Sequence, residues 1–373
     1  MRFHILVNPI VPTANNKYNC DAFNVYAKRL AKMLSTKYKV FFYGTSQNPF
    51  VSADRIEYIQ ITDEKEYDNL NVNRGGYLTH CDVIAKTKQD ALRTRYHTIS
   101  KYFVDKNCQK GDFVLYCYEA NPELQQNTDL IHVAPCSMGG MFKYATYTIF
   151  ASSVWAHTLI TKTNDIDYMT HLSLWGIAPP IFPKNEFTFS AEKDSDLILY
   201  LGRIQKCKGI ETVIRLANLV PQKQFLVAGD TLPVPEGHLF IEDTNMTIQI
   251  PNNVKVLGYL DTENRKKILS KVSCLIQPSP YAEPFGFNII EAYLSGTPVI
   301  TTDFGTFTET VLEGITGFRC RTDQEFVQAI DKIKTINPLR CYQEGMCYIP
   351  SKQLKTYEKL FAMFQSDWQS TKG

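Results

Sequence analysis

Short apolar runs alternate with amphipathic stretches along the chain, and this alternation limits the folds open to it. Phe3–Val7 and Phe113–Tyr118 are typical of buried strands, whereas Cys20–Ser35 repeats its apolar residues at helical spacing. Strands separated by helices predict parallel sheets covered on both faces, an α/β fold class. The other predicted strands are 39–44, 131–134, 197–201, 224–227, 254–257, 273–277 and 298–301. The predicted helices of the second half are 209–219, 263–271, 287–295, 307–312 and 324–334.

A proline-rich segment divides this pattern into two halves. Trp175–Pro183 has three prolines within five residues, and a polar stretch follows to Ser195. We therefore expect two α/β domains with a cleft between them, since such sheets bind ligands beyond the carboxyl ends of their strands. The tail, 352–368, has helical periodicity and no strand to pair with, so it is expected to cross back over the body of the protein.

The overall charge does not indicate a nucleic acid or an acidic membrane as a partner. With 40 basic and 38 acidic residues the net charge is +2, so no strong global field favours nucleic acid or an acidic membrane. No apolar stretch reaches the ~20 residues of a membrane helix, although peripheral membrane contact stays possible. The ten cysteines form no Cys-x-x-Cys pair and no zinc signature. These features favour reduced thiols in a cytoplasmic protein.

Two glutamates, Glu283 and Glu291, bracket a Pro-Phe-Gly turn and the start of an apolar run. The run is expected to be a helix with Glu291 near its first turn, and the N-terminus of a helix attracts anions. Free N–H groups would bind a phosphate while the carboxylates bind hydroxyls, so a nucleotide-sugar fits. Either glutamate alone is as often only a favourable partner of the helix dipole.

A second segment, Leu199–Gly209, ends a strand and enters a helix. Gly202 allows close approach of the backbone, and Arg203 and Lys208 place two cations at the carboxyl end of the strand. A diphosphate needs such donors, which would act most strongly as charge grows on the leaving phosphate. Isolated basic residues in this position are usually solvated.

The order of these motifs resembles retaining glycosyltransferase family 4, of GT-B fold. The matching residues begin at Gly202-Arg203-x4-Lys208-Gly209 and continue through 227–230, Val256-x-Gly258, Glu283-x7-Glu291 and 296–300. The resemblance is dense over 197–320. It implies two Rossmann-like parallel-sheet domains facing a central cleft, with a C-terminal helix crossing back. The N-terminal domain, 1–182 with 352–373, would bind the acceptor, and 190–350 the nucleotide-sugar.

The resemblance also implies a role for each matching residue. Arg203, Lys208 and Glu283 are the expected catalytic residues, with the two cations on the diphosphate and Glu283 close to the sugar. Glu291 would hold the ribose. The other expected donor-binding residues are Gly202, Val256, Gly258, Pro284, Phe285, Gly286, Phe287 and Asn288. No metal site and no cofactor are expected.

The N-terminal half departs from the family pattern. The family's Gly-Gly pair is absent from 12–20, and its active-site histidine is absent near Pro135-Cys136, although His132 lies earlier in that strand. Weaker acceptor candidates are Glu119 and Asn121, at the end of another strand, and Asn16.

Function is therefore expected to be transfer of a hexose or related sugar, from a UDP- or GDP-sugar, to a hydroxyl of a glycan, lipid or protein-glycan acceptor. Nucleic acid is not an expected acceptor. Two alternatives stay open: a catalytically silent nucleotide-sugar-binding protein, and a nucleotide-sugar epimerase on the same fold.

Overall fold

The structure is a computed structural model that describes residues 1–13, 22–50, 53–63, 83–137, 145–162 and 174–372. The chain forms two compact units: unit 1 is Met1–Ile181 with Pro350–Gly373, and unit 2 is Phe182–Ile349. The described helices are, in chain order, α1 (Ala22–Ser35), α2 (Val83–Asn107), α3 (Ser153–Lys162), α4 (Ile210–Leu219), α5 (Thr262–Lys271), α6 (Phe287–Leu294), α7 (Phe307–Thr310), α8 (Asp323–Lys332), α9 (Pro338–Gly345) and α10 (Pro350–Lys372).

Unit 1 is built on a parallel sheet. Within its described residues the strand order is β3-β2-β1-β4-β5-β6-β7. The strands Phe113–Tyr116 and Tyr147–Phe150 are fully buried, as is typical of parallel sheets, and this explains their continuous apolar runs. These strands are β1 (Arg2–Leu6), β2 (Lys39–Gly44), β3 (Ile56–Gln60), β4 (Phe113–Tyr116), β5 (Ile131–Ser137), β6 (Tyr147–Phe150) and β7 (Leu174–Ile177).

The C-terminal helix α10 completes the core of unit 1. The ring of Phe361 packs 4.9 Å from that of Phe3 and 5.2 Å from that of Phe113, measured between centroids. The hydroxyls of Tyr357 and Tyr26 are 3.0 Å apart in a buried hydrogen bond. The helix that was expected to cross back therefore belongs to unit 1.

Unit 2 is built on a second parallel sheet, whose described strands run in the order β12-β9-β8-β13-β14-β15. A separate antiparallel hairpin, β10–β11, lies in the connection from β9 to β12. All five strands predicted for this half are present. The strands are β8 (Asp194–Leu201), β9 (Gln224–Ala228), β10 (His238–Ile241), β11 (Met246–Gln249), β12 (Val254–Gly258), β13 (Val272–Gln277), β14 (Val299–Thr302) and β15 (Gly317–Cys320).

None of the described helices combines the length and the apolar content needed to cross a bilayer.

Candidate active site in unit 2

The candidate site lies where the strand order of unit 2 reverses. Counted along the chain, the sheet has the Rossmann order 3-2-1-4-5-6, and the reversal falls between the neighbours β8 and β13. Connections from these two strands leave in opposite directions, so a crevice opens beyond their carboxyl ends. Arg203 and Lys208 follow β8, and Glu283 follows β13. The topology therefore brings the two predicted segments together.

Lys208 and Glu283 form a close ion pair. Lys208 Nζ donates to Glu283 Oε1 over 2.6 Å, and the two side chains are only 14% and 12% exposed. Ser279 Oγ donates to the same carboxylate oxygen at 3.2 Å, and the lysine ammonium stands 4.7 Å from the centre of the Tyr281 ring. A carboxylate this buried requires such partners. The site thus holds a desolvated cation beside a desolvated carboxylate.

The turn at 284–286 presents the N-terminus of α6. Gly286 caps the helix with φ 83° and ψ 68°, a left-handed conformation that glycine adopts without strain. Phe285 is buried against the rings of Phe182 and Tyr348, which fixes the turn. The first N–H groups of a helix lack intrahelical acceptors, so this end can bind an anion.

Asn288 anchors this helix to the sheet. Its Nδ2 donates to Leu201 O at the end of β8 over 2.7 Å, and to Gln277 Oε1 at the end of β13 over 2.6 Å. The side chain therefore links the two strands that flank the reversal. Its polar contacts in this structure position the helix N-terminus.

Glu291 is the fifth residue of α6, directly after the first turn, near which it was expected. Its carboxylate is 8% exposed and accepts from Arg265 Nη1 over 3.4 Å. Arg265 comes from α5, and the sequence patterns did not indicate it. The pairing keeps a cation beside the second carboxylate of the site.

Hydrogen bonds from Tyr200 and Gly202 hold the loop after β8 in place. Tyr200 Oη donates to Arg203 O over 2.6 Å, and burial, with the nearby Glu283 charge, raises the pKa of this phenol well above its usual value. The phenol is therefore a stable donor. Gly202 N donates to Ala228 O at 3.0 Å, which holds the start of the loop against β9.

Val256 and Gly258 lie at the carboxyl end of β12, beyond β9 from the ion pair. Gly258 has φ 68°, and a Cβ added there would meet nothing within 4 Å. The space beside Gly258 is therefore open at this strand end.

Comparison with known proteins identifies the family of most of unit 2. Residues 182–343 match the family described as "Glycosyl transferases group 1". This segment is a member of the glycosyl transferases group 1 family. Its curated relatives include an uncharacterized glycosyltransferase of Methanocaldococcus jannaschii, 27% identical over 35% of this chain and 33% of that protein. The glycogen synthase of Mycobacterium tuberculosis is 29% identical over 33% of this chain and 30% of that protein. The D-inositol 3-phosphate glycosyltransferase of Mycobacterium leprae is 30% identical over 33% of this chain and 29% of that protein.

These curated matches span about a third of each relative's length. Solved structures match more of the chain. Sucrose-phosphate synthase from Thermosynechococcus elongatus has a TM-score of 0.65 at 17% identity, over 99% of this chain and 98% of that one. Anabaena HepE, solved with UDP and glucose, has a TM-score of 0.57 at 14% identity, over 97% and 99%. These likenesses establish the fold class as GT-B, with two Rossmann-like parallel-sheet units.

Outside the glycosyl transferases group 1 segment, the acceptor candidates of unit 1 are engaged by their own neighbours. Asn121 Nδ2 donates to His97 O over 2.8 Å, and its Oδ1 accepts from the N–H groups of Glu123 and Leu124. Glu119 lies 3.3 Å from Arg93 Nε and 3.2 Å from His97 Nε2. Asn16 lies outside the described residues.

His132 is a hydrogen-bonded core histidine. Its Nε2 is 2.9 Å from Asn127 O, which can only accept, so the Nε2 carries the proton and Nδ1 accepts from Tyr116 Oη at 2.9 Å. Burial lowers the pKa of His132, which keeps the ring neutral. In the described residues no group of three or more His, Cys, Asp or Glu side chains is arranged to hold a metal ion.

Proposed function

We propose that this chain is a retaining glycosyltransferase that moves a hexose or related sugar from a UDP- or GDP-sugar to a hydroxyl of a glycan, lipid or protein-glycan acceptor. One observation carries the proposal: the Lys208–Glu283 pair and the Gly286 turn stand together beyond the carboxyl ends of β8 and β13. A phosphate and a polyol would find both of their binding partners there. Family membership of 182–343 supports a glycosyl transfer reaction.

In this proposal the diphosphate binds Arg203, Lys208 and the N-terminus of α6. Glu283 would hold hydroxyls of the sugar, and Glu291 those of the ribose, while Val256 and Gly258 line the base. Lys208 would exchange its contact with Glu283 for one with phosphate. Unit 1 would supply the acceptor site.

The proposed reaction places developing negative charge on the leaving diphosphate. The bond between the anomeric carbon and the diphosphate oxygen breaks, the acceptor oxygen bonds to the same face of that carbon, and its proton passes to the leaving phosphate. Negative charge grows on the phosphate, so a preorganised cation lowers the barrier. Removal of one such donor typically costs about 10²–10³ in kcat.

We also propose that no bound metal or cofactor is required, because Arg203, Lys208 and a helix N-terminus can together meet the charge of the diphosphate. Transfer measured with excess EDTA should equal transfer without it. We propose a cytoplasmic location from the cysteines, since none of the eight in the described residues forms a disulfide.

The test uses two neighbouring lysines. Lys208 is 14% exposed and paired with Glu283, whereas Lys206 is 62% exposed and lies 3.8 Å from Glu211. With a panel of UDP- and GDP-sugars, wild type should release nucleotide in the presence of acceptor extracts. Lys208→Ala should lower kcat by about 100-fold, and Lys206→Ala should leave it within about twofold of wild type.

Three results would contradict the proposed function, each in a different way. If Lys208→Ala turns over at the wild-type rate, the site assignment is wrong. Binding of nucleotide-sugar without release of nucleotide would indicate a silent binder instead. Conversion of the sugar without acceptor would indicate an epimerase.

A further inference from the structure

The connection between β9 and β12 is built unusually for neighbouring parallel strands. Such strands are generally joined by a helix that covers the sheet. Here the described chain between them forms the β10–β11 hairpin, with a 3-10 turn at Glu242–Thr244 between its strands. The tip of the hairpin reaches the loop that carries Lys208.

Two residues at this tip hold that loop. Asp243 Oδ1 accepts from Lys206 N over 2.7 Å, and Asp243 Oδ2 accepts from Cys207 N over 3.0 Å. The preceding residue adds two bonds: Glu242 N donates to Ile204 O at 3.0 Å, and Glu242 Oε2 accepts from Gln205 Nε2 at 2.9 Å. Each residue from 204 to 207 is therefore hydrogen-bonded to the tip of the hairpin.

The two carboxylate oxygens of Asp243 provide hydrogen-bond acceptors for the first N–H groups of the turn. Lys206–Lys208 is a 3-10 turn whose own N-cap residue, Gln205, makes no side-chain hydrogen bond to the backbone N–H groups of the turn. Its first two N–H groups are neighbours, an arrangement that favours an anion. Burial alone would raise the pKa of Asp243, but donation from Cys207 and Lys206 outweighs it and lowers the pKa, so the group is a carboxylate at neutral pH.

We propose that Asp243 is a positioning residue for the diphosphate of the donor. It occupies the N–H groups of Lys206 and Cys207 as an internal anion, so that the phosphates bind Lys208 and the N-terminus of α6 rather than this backbone. It also fixes the turn from which Lys208 reaches Glu283. The inference rests on the proposed function.

Removal of the Asp243 carboxylate can change the affinity for a diphosphate in either direction, and the direction decides its role. If the carboxylate merely competed with the donor for these N–H groups, its removal would free an anion site and tighten binding of a diphosphate. If it positions Lys208, its removal loosens the turn and weakens that binding. The nucleoside monophosphate lacks the terminal phosphate and should be affected much less.

The experiment measures Kd by titration calorimetry for UDP and UMP, and for GDP and GMP, on the full chain. Asp243→Ala should raise Kd for the preferred diphosphate about tenfold, as loss of a capping carboxylate predicts, and leave the monophosphate within about twofold. Glu236→Ala is the matched control, since it removes the same charge from an exposed position in the same connection and should change neither.

Asp243→Asn provides a second variant if Asp243→Ala does not fold, because its amide keeps one acceptor; it should weaken diphosphate binding by an intermediate factor. An unchanged or tighter Kd for the diphosphate, in a variant that melts as wild type does, overturns the positioning role. Failure of wild type to bind any of the four nucleotides would instead overturn the proposed function.

Discussion

At the scale of single residues, the candidate site contains two carboxylates that are each paired with a cation from a different segment. Glu283 is paired with Lys208, and Glu291 with Arg265. Sequence patterns predicted Lys208 because it follows a strand in a recognisable spacing. They could not predict Arg265, since its significance depends on α5 and α6 lying side by side. Only the fold creates that contact.

Arg265 should matter for ribose recognition. Arg265→Gln removes the ion pair that holds the nearly buried Glu291 side chain in position to accept the ribose hydroxyls. We expect the preference for a ribonucleoside diphosphate over its 2′-deoxy analogue to fall by about tenfold. Competitive binding of the two nucleotides measures this ratio.

Lys267→Gln is the control, because Lys267 is an exposed residue on the same helix. Equal losses for both nucleotides in Arg265→Gln would indicate a general structural role instead.

At the scale of elements, the loops after β8 and β13 can approach closely because Gly209 stands between them. Its φ is 82°, and a Cβ built there would lie 2.1 Å from Pro278 O. Gly209 also begins α4, so its position couples a helix start to the end of the neighbouring strand.

Substitution of this glycine should be far more costly than substitution of another glycine with positive φ. Gly237 has φ 75° and nothing within 4 Å of its built Cβ, so Gly237→Ala should cost only the backbone strain, about 1 kcal/mol. Gly209→Ala adds a clash with a backbone carbonyl and should cost about 3 kcal/mol or more. Urea denaturation of both variants compares them; equal midpoints would mean that the approach is not required.

Most of the strands that sequence patterns predicted in unit 2 are buried. Apolar runs that lie in the core form β9, β13, β14 and the second half of β8, whereas β12 is buried only at Val254. The hairpin β10–β11 was not predicted because its strands have only four residues each and bury only Leu239 and Ile241. Strand β7 includes Gly176, and its pairing with β6 rather than its own propensity makes it a strand.

At the scale of the whole molecule, the acid sensitivity is expected to lie in unit 1. His4 and His132 are both buried there, and desolvation lowers the pKa of each below the usual 6.5. The unfolded chain therefore binds more protons between 6.5 and the lowered values. Stability conferred by the neutral rings is present above pH 6.5 and is lost as the pH falls below it.

His132→Gln should flatten the fall of the melting temperature between pH 7.5 and pH 5. Glutamine can still donate to Asn127 and accept from Tyr116, without a proton to gain. His238→Gln, at an exposed position in unit 2, should leave the profile unchanged. A wild-type slope in the His132 variant would contradict the prediction.

The place of α10 in unit 1 has a consequence for synthesis on the ribosome. The core around Phe3 and Phe113 lacks Phe361 until the last segment emerges, after about 170 residues of unit 2 have been translated. At ordinary elongation rates this is a delay of roughly 10–30 s. Unit 1 begins the chain but completes its core only after unit 2 has been made, and we expect the apolar surface that Phe361 covers to stay exposed in the meantime.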